Sequence, residues 1–224
     1  MICLKQKPLT FKPSAGEFVP DNAHFYQPKD GHQLKHDPFN SIIAPRPIGW
    51  ISSKSHNGQV NLAPYSFFNA FNYHPPIIGF SSIGYKDSVK NAAETGEFCW
   101  SLVTRSLAES MNQTSAAVSC DVDEFDLANL VKGQSKVIDV PHVAQSPVVM
   151  ECKTSQVIQL KSAGGEDCQS WLVLGEVVGV HISQIALKQG VYNTAAMQPV
   201  MRGGGPGDYF SVSELQKFQL FRPK

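Results

Sequence analysis

The chain has 224 residues, and its 19 Lys and Arg balance 19 Asp and Glu, so the formal net charge at pH 7 is zero. The sequence has no basic stripe or acidic tract, so nucleic acid is not an expected partner. The chain is long enough to bury a hydrophobic core without disulfides or a structural metal. The five cysteines are widely spaced and include no Cys-x-x-Cys, which argues against a disulfide framework or zinc ribbon and favours a reducing, cytoplasmic compartment.

Residues 1–37 are rich in Pro, Lys and His and show no sustained period, so they are predicted to form an N-terminal arm. The arm has no apolar run long enough for a signal peptide or a membrane span. His32 and His36 stand four residues apart, but no third ligand is near and Asp37-Pro38 would break a helix. We therefore expect no metal site here.

Three apolar runs follow, at residues 44–53, 61–71 and 75–82. Asn57-Gly58, between the first two, is the strongest short-range signal for a β-hairpin. Pro75 and Pro76 exclude a helix and favour an extended entry into the third run. The block is predicted as strand, hairpin, strand, turn, strand and then helix.

A short helix is expected over residues 89–95, with Asp87 or Ser88 as its N-cap and Gly96 just past its end. Its N-terminus would offer free backbone N–H groups close to Lys86 and to the hydroxyls of Ser81 and Ser82, which is the chemistry of a phosphate site. An ordinary capped helix with a solvated lysine remains the alternative. Polar residues within the apolar runs could likewise cap strands or bind a ligand.

The second half predicts a helix after Thr104, a short helix over residues 123–130, and two long strands over 147–160 and 170–182. A Gly-Gly-acidic turn at 164–167 joins the two strands. About six strands with few helices indicate an antiparallel barrel with a helical insertion, in one domain. The glycine run at 203–207 is predicted as a mobile loop that no strand precedes.

No familiar set of catalytic side chains is present. The stretch from Gly79 to Gly84 resembles a nucleophile elbow, but its second glycine falls one place too late. A nucleophilic Cys99 or Cys120 beside His74 or His181 stays open, although nothing in the spacing favours it. The chemistry is therefore expected to come from a cofactor.

The ordered motifs of the chain resemble the flavin reductase-like family of FMN-binding split barrels, which includes flavoredoxin-type proteins and the small reductase components of two-component monooxygenases. The resemblance covers roughly residues 38–210. Its main motifs are Ala44-Pro45-Arg46-Pro47-Ile48-Gly49-Trp50-Ile51-Ser52, Asn61-Leu62-Ala63-Pro64-Tyr65-Ser66-Phe67-Phe68, His74-Pro75-Pro76, Lys86-Asp87-Ser88, Gly96-Glu97-Phe98 and Gly175-Glu176-Val177-Val178.

The resemblance implies a mainly β fold: a six-stranded antiparallel Greek-key split barrel with short helical insertions over residues 38–210, followed by a tail at 211–224. It further implies a homodimer that holds FMN near the subunit interface, NAD(P)H as co-substrate, and a small molecule or a partner protein as electron acceptor. No metal is implied, and His181 is a candidate catalytic residue. The residues expected to bind FMN are Arg46, Trp50, Ile51, Ser52, Ser53, Asn61, Ala63, Ser66, Phe67, Phe68, Asn69, Ser81, Ser82, Lys86, Asp87 and Ser88.

One departure from the family concerns the tail, where an Arg-x-Gly-Gly-x-x-Tyr pattern is common. Here Arg202 is followed by an expanded glycine run before Tyr209. The leading hypothesis is an FMN-dependent, NAD(P)H-using oxidoreductase. Two alternatives remain: an electron-carrying flavoprotein without nicotinamide activity, and a barrel that binds haem through His74 or His181.

Overall fold

The computed structural model of the protein describes residues 23–223. The chain divides into two compact units, Met1–Pro38 and Phe39–Lys224. The described part of the first unit contains one 3-10 turn, Pro28–Asp30, and the Nδ1 atom of His32 accepts a hydrogen bond from the Leu34 amide. Within residues 23–223, no helix has the length and apolar content that crossing a membrane requires.

The second unit is built mainly from antiparallel strands, with short helices between them. The 3-10 turns of this unit are Arg105–Leu107, Gln184–Ala186, Ala195–Met197 and Glu214–Gln216. The helices and strands are α1 Phe39–Ile42, β1 Arg46–Pro47, β2 Gly49–Lys54, β3 Val60–Tyr65, β4 Phe68–Asn72, β5 Ile77–Ile83, α2 Asp87–Thr95, β6 Glu97–Ser101, α3 Ala108–Gln113, α4 Glu124–Leu127, β7 Lys132–Gly133, β8 His142–Val143, β9 Val148–Lys161, β10 Asp167–Ile182, β11 Leu187–Lys188, β12 Val191–Tyr192, β13 Val200–Arg202 and β14 Tyr209–Ser211.

The main sheet has seven strands in the order β3-β2-β6-β9-β10-β5-β4. Its two edge strands, β3 and β4, are joined in sequence by Ser66 and Phe67 alone, so the sheet must curl until its edges meet. The prediction of a mainly β, antiparallel split barrel is confirmed. The sheet has seven strands rather than the predicted six. The second apolar run was expected to form one strand, but it is divided at Ser66–Phe67 into β3 and β4, which lie at opposite edges of the sheet.

The predicted turns lie where the sequence indicates. β2 and β3 pair around Asn57-Gly58, and Gly58 has a φ of +82°, which glycine adopts without strain. β9 and β10 form the longest hairpin around Gly164-Gly165. The helix α2 ends at Gly96, which has a φ of +75°, but its N-cap is Lys86 rather than Asp87 or Ser88. That cap prediction was wrong because the chain is already helical at Asp87.

Two of the hydrophobic clusters of the described chain show how the barrel is packed. Phe80 of β5 and Phe98 of β6 contact edge to face, with ring centroids 5.6 Å apart, although two strands separate β5 from β6 in the sheet. Their contact therefore crosses the barrel interior, where Val89 of α2 also packs. A second cluster packs Trp50 of β2 with Met111 of α3 and Phe125 of α4.

A separate three-stranded sheet, β1-β13-β14, contains the glycine run. β13 precedes Gly203 and β14 begins at Tyr209, with Arg202 paired to Tyr209 across the turn. The prediction that no strand precedes the glycines was therefore wrong, because a three-residue strand gives too short a pattern to be recognised. The run is the turn of a hairpin.

Candidate functional site

A cleft of about 300 Å³ lies where the small sheet meets the β3–β4 corner and the N-terminus of α2. We call it the cationic cleft. It is lined by Asn40, Arg46, Pro64, Tyr65, Ser66, Phe67, Ser81, Ile83, Lys86, Arg202, Gly203 and Gly205.

Two arginines lie directly opposite each other on one wall of this cleft. Arg46 of β1 pairs with Arg202 of β13 in the antiparallel ladder, which places two like charges side by side. Such a pair destabilises a sheet unless an anion or an acidic side chain compensates it. Burial lowers the pKa of Arg46, and the charge of Arg202 lowers it further.

The Arg46 guanidinium is only partly satisfied by the protein. Its Nη1 donates to the Asn40 carbonyl and its Nη2 to the Gly203 carbonyl at 3.3 Å, while the guanidinium lies 5.5 Å above the Phe67 ring. Its Nε is buried and has no hydrogen-bond partner among the described residues. An orphaned donor on a buried cation is costly unless a ligand accepts from it.

Arg202, by contrast, organises the glycine hairpin. Its guanidinium donates to the carbonyls of Asp208 at 2.8 Å and Gly205 at 2.9 Å, with longer bonds to those of Gly204 and Pro206. It also lies 5.0 Å from the centre of the Tyr209 ring. The turn is thus wrapped around a positive charge that faces the cleft.

Lys86 supplies the third cation, at the N-cap of the nine-residue helix α2, where no side chain caps the free N–H groups. Within residues 39–223, Arg46, Lys86 and Arg202 form no ion pair with a carboxylate. Three cations and a helix N-terminus, with no acidic partner inside residues 39–223, make an anion site.

Five of the residues predicted from the sequence meet in this cleft. They belong to β1, to the β3–β4 corner, to β5 and to the start of α2, which converge at this cleft. They are Arg46, Ser66, Phe67, Ser81 and Lys86.

Other predicted polar residues form a buried network instead. Asn61 donates to the Ser88 hydroxyl at 2.8 Å, and Ser82 donates to the Gly84 carbonyl at 3.0 Å. The Tyr65 hydroxyl hydrogen-bonds with both serines, and burial raises the pKa of Tyr65. These side chains join β3, β5 and α2, so their hydrogen-bonding capacity is largely used within the fold.

The predicted residues of β2 are enclosed by protein, because Trp50, Ile51, Ser52 and Ser53 are fully buried. Trp50 donates to the Thr114 hydroxyl at 3.0 Å, Ser52 donates to the Pro141 carbonyl at 2.6 Å, and Ser53 accepts from Asn91 at 3.1 Å. Their side chains do not border the cleft, and contact with a cofactor stays a prediction for them.

Four further predicted residues lie around the cleft without lining it. Ala63 is half-buried on β3, and Phe68 stacks on Trp100 with ring centroids 5.7 Å apart. Asn69 is exposed, and its Oδ1 accepts from the Ala70 amide at 2.8 Å. Asp87 borders a separate cavity of about 80 Å³.

A family model described as the flavin reductase like domain matches residues 42–201, which include every strand of the curled sheet. The chain belongs to the flavin reductase-like family. The resemblance seen in the ordered sequence motifs is thereby confirmed.

Individual relatives agree with this assignment. The uncharacterized protein BH2278 of Halalkalibacterium halodurans is 35% identical over 187 residues, covering 81% of this chain and 87% of that protein. Nitrilotriacetate monooxygenase component B from Bacillus cereus has a TM-score of 0.74 and 29% identity, covering 85% of this chain and 97% of the other. The 2-nitrobenzoate 2-nitroreductase NbaA of Pseudomonas fluorescens has a TM-score of 0.72 and 26% identity, covering 83% and 88%.

In this flavin reductase-like barrel, His181 lies away from the cationic cleft. On β10, Trp171 pairs with Ser82, the neighbour of the cleft residue Ser81. His181 lies about ten residues further along the same strand, which corresponds to roughly 30 Å. Its Nε2 hydrogen-bonds to the buried carboxylate of Glu151, and its ring lies 5.0 Å from that of His142. His181 is not among the residues that line the cationic cleft, and its catalytic role stays a prediction.

Sequence reasoning missed the part of the cleft built by Asn40, Arg202 and the glycine hairpin. The family's Arg-x-Gly-Gly-x-x-Tyr pattern could have indicated these residues, because Arg202 and Tyr209 correspond to its first and last positions. The cross-strand position of Arg202 opposite Arg46 depends on two very short strands, which no sequence period predicts.

Proposed function

We propose that this chain is an FMN-binding flavoprotein that works as an NAD(P)H-dependent, flavin reductase-like oxidoreductase. The observation that carries the proposal is the convergence of Arg46, Lys86 and Arg202, without acidic partners in residues 39–223, at the N-terminus of α2. A phosphate monoester carries nearly two negative charges at pH 7, which suits this surplus.

The residues present fit the phosphate of FMN. The orphaned Nε of Arg46 offers a buried donor, Lys86 offers a mobile charge, and Ser81 a hydroxyl on the same cleft. We assign these three side chains to the phosphate and the Ser66–Phe67 corner to the flavin ring. Bound FMN would supply hydride acceptance from a nicotinamide and electron transfer onward.

The chain's own residues would then control the surroundings of the flavin. The Phe67 ring, 37% exposed beneath the Arg46 guanidinium, would shield one side of the cleft from water. The positive charges of Arg46 and Arg202 would favour an anionic, electron-rich state of the bound flavin. Excluding water strengthens that electrostatic effect.

We further propose a homodimer with the cofactor near the subunit interface. The cleft, at about 300 Å³, is at the lower limit for a small-molecule site, so a nucleotide would need another wall. Ser81 and Ile83 share the outer face of the sheet with Leu172 and Ile158, as their register shows, and Ile83 is 68% exposed. An apolar sheet face beside a shallow site is what a second subunit would cover.

The electron acceptor is proposed to be either a small molecule or a partner protein. Of the two structural neighbours, one is named as a nitroreductase and the other as a component of a monooxygenase. The first name suggests a small nitroaromatic acceptor, and the second suggests delivery of electrons to another component.

The test is a visible spectrum of the purified protein, before and after FMN is added and unbound flavin is removed, followed by anaerobic mixing with NADH and with NADPH. We expect a bound flavin spectrum that bleaches rapidly with at least one nicotinamide. Bound flavin that neither nicotinamide reduces would replace the reductase by an electron carrier. Failure to retain FMN would remove the proposal, and a Soret band would favour haem.

A further inference from the structure

A second cavity shares the glycine hairpin with the cationic cleft. Pro206, Gly207 and Phe210 line this hairpin cavity, which has a volume of about 810 Å³. Gly203 and Gly205 of the same hairpin line the cationic cleft. The Phe210 ring lies against Gly203, because a Cβ on that glycine would be 2.9 Å from the ring. The two cavities are therefore neighbours, with one short hairpin between them.

One wall of the hairpin cavity is the free edge of a β-strand. β14 lies at one edge of the small sheet, and its residues Tyr209 and Ser211 line the cavity. The Gly203 amide donates to the Asp208 carbonyl at 2.8 Å across the hairpin. Because paired residues of an antiparallel ladder alternate between hydrogen-bonded and non-hydrogen-bonded positions, the backbone groups of Tyr209 and Ser211 point away from β13. They offer donors and acceptors to a ligand at this edge.

A second wall is formed by the helix α3 and the 3-10 turn before it. Four polar residues of this segment line the cavity, and their spacing of three and four places them on one helical face: Arg105, Glu109, Asn112 and Gln113. Arg105 donates to the Glu109 carboxylate at 2.8 Å. Asn112 and Gln113 are exposed, and each carboxamide supplies both a donor and an acceptor. This wall therefore offers paired hydrogen-bonding groups beside an ion pair.

The cavity also has apolar and aromatic surface. Met111 and Val200 line it and belong to one hydrophobic cluster of the core. Phe210 is 53% exposed and Tyr209 41%, so two aromatic rings remain open to a ligand. Exposed rings beside hydrogen-bonding groups suit a planar heterocycle, which stacks through its face and forms hydrogen bonds through its edge. The volume lies within the range of small-molecule sites.

A nicotinamide dinucleotide contains such a heterocycle, the adenine ring, which is linked through ribose and pyrophosphate to the group that donates hydride. If the flavin lies in the cationic cleft, the nicotinamide must reach that cleft, and the adenosine must lie close by. The hairpin cavity is adjacent to that cleft. We propose, on the basis of the NAD(P)H dependence proposed above, that the hairpin cavity binds the adenosine part of the dinucleotide and that Glu109 selects NADH over NADPH.

The selection follows from the charge of the ion pair. NADH has a hydroxyl at the 2′ position of the adenosine ribose, and NADPH has a phosphate there. A carboxylate accepts a hydrogen bond from the hydroxyl and repels the phosphate, which an arginine would bind. The hydrogen bond from Arg105 lowers the pKa of Glu109, so the carboxylate is charged at neutral pH. Removing that charge releases Arg105 for a 2′-phosphate.

Binding is tested without hydride transfer, by calorimetric titration of the FMN-saturated protein with ADP-ribose and with its 2′-phosphate. Saturation with FMN keeps the phosphates of either ligand out of the cationic cleft. We expect ADP-ribose to bind at least about tenfold more tightly, and Glu109→Gln to abolish or reverse that preference. Glu94→Gln, an exposed carboxylate of α2 that does not line the cavity, is the control and should keep it. An unchanged preference in Glu109→Gln, or a wild type that prefers the 2′-phosphate, would overturn the role of Glu109.

The location of the adenosine is tested by Phe210→Leu, which removes the stacking ring and keeps an apolar side chain. We expect ADP-ribose to bind at least about fivefold more weakly to this variant. Phe25→Leu changes an exposed phenylalanine that does not line the cavity, and it should leave the dissociation constant unchanged. Equal affinity of Phe210→Leu and the wild type would exclude adenosine from the hairpin cavity.

Anaerobic reduction of the bound flavin separates this proposal from the proposed function. The ratio of kcat/KM for NADH to that for NADPH should fall at least about tenfold in Glu109→Gln and stay unchanged in Glu94→Gln. Rapid reduction with the same ratio in wild type and Glu109→Gln would reject the selection alone. A protein that retains FMN but is reduced by neither nicotinamide would reject the reductase function, and the coenzyme selection with it.

Discussion

Two polar sites of this barrel, the buried carboxylate of Glu151 and the cationic cleft, differ in how completely the protein pairs their charges and hydrogen-bonding groups. Glu151 is fully buried and accepts hydrogen bonds from the amides of Lys136 at 2.8 Å, Val137 at 2.7 Å and Ile138 at 3.1 Å, and from His181. The cationic cleft has the reverse character, because its three cations meet no carboxylate within residues 39–223, and Arg46 keeps an orphaned donor.

The difference teaches how to separate structural polarity from polarity that serves a ligand. Burial alone would raise the pKa of Glu151, but the hydrogen bonds from His181 and three amides outweigh it and lower the pKa to about 2. Such a carboxylate stabilises the fold and has no free capacity for a substrate. The cleft has unpaired positive charges and a free hydrogen-bond donor. The free-energy cost of burying them is offset only when an anion binds.

The largest expected effect concerns Glu151. Glu151→Leu would leave three buried amides and His181 without their acceptor, and we expect the free energy of unfolding to fall by roughly 3–5 kcal/mol. Urea denaturation monitored by tryptophan fluorescence measures this loss. Glu176→Gln, an exposed carboxylate on β10, is the control and should change stability little. A Glu151→Leu protein as stable as the wild type would make this centre dispensable.

The next effect is a dependence of stability on pH. Because the folded-state pKa of Glu151 is lowered from 4.5 to about 2, its contribution is complete above about pH 4.5 and is lost as the pH falls through about 2. The difference corresponds to about 3 kcal/mol. Glu151→Gln does not titrate, so the gap in unfolding free energy between this variant and the wild type should narrow between pH 6 and pH 3. A gap independent of pH would contradict the assigned ionisation.

The cleft itself is tested by paired lysine substitutions on one helix. Lys86→Ala should weaken FMN binding by roughly 1–3 kcal/mol, since a charge-assisted hydrogen bond to the phosphate is lost. Lys90→Ala, an exposed lysine of α2 that does not line the cleft, should leave the dissociation constant unchanged. Isothermal titration with FMN compares the two. Equal losses would show only a general effect of charge.

The smallest effect concerns the hairpin that forms one wall of the cleft. A Cβ at Gly204 would collide with the side chain and backbone of Ser41, whereas one at Gly207 would meet no atom within 4 Å. We expect Gly204→Ala to cost about 1 kcal/mol of stability, at the low end for overpacking because the turn can shift. It should also weaken FMN binding measurably, whereas Gly207→Ala should do neither. Thermal unfolding and FMN titration of both variants check this contrast.

Some of the fold was readable from the sequence because the signals are local. Asn57-Gly58 and Gly164-Gly165 mark hairpins by their own backbone preferences, and the long strands on either side of the latter have strong β propensity. The break at Ser66–Phe67 was not readable, because an apolar run looks the same whether it forms one strand or two edges of a closing sheet.

The site shows the same limit. Ser81 and Ser82 are equivalent in composition, yet neighbouring strand residues point to opposite faces, so only Ser81 reaches the cleft while Ser82 is buried. Lys86 was identified because charge and helix geometry point to an anion, whereas Arg46 was identified only through the resemblance to the family. The contribution of Arg202 depends on its partner across two short strands, which is a tertiary relation that no local pattern encodes.

The central claim, that the cationic cleft holds the phosphate of a flavin nucleotide, is tested most directly by titrating the protein with FMN and with riboflavin under the same conditions. The two ligands share the ring and the ribityl chain and differ in the phosphate. We predict that FMN binds at least about 30-fold more tightly, corresponding to about 2 kcal/mol from charge-assisted hydrogen bonds, and that added salt reduces the difference. Equal affinity for the two flavins, or a preference for riboflavin, would contradict the account.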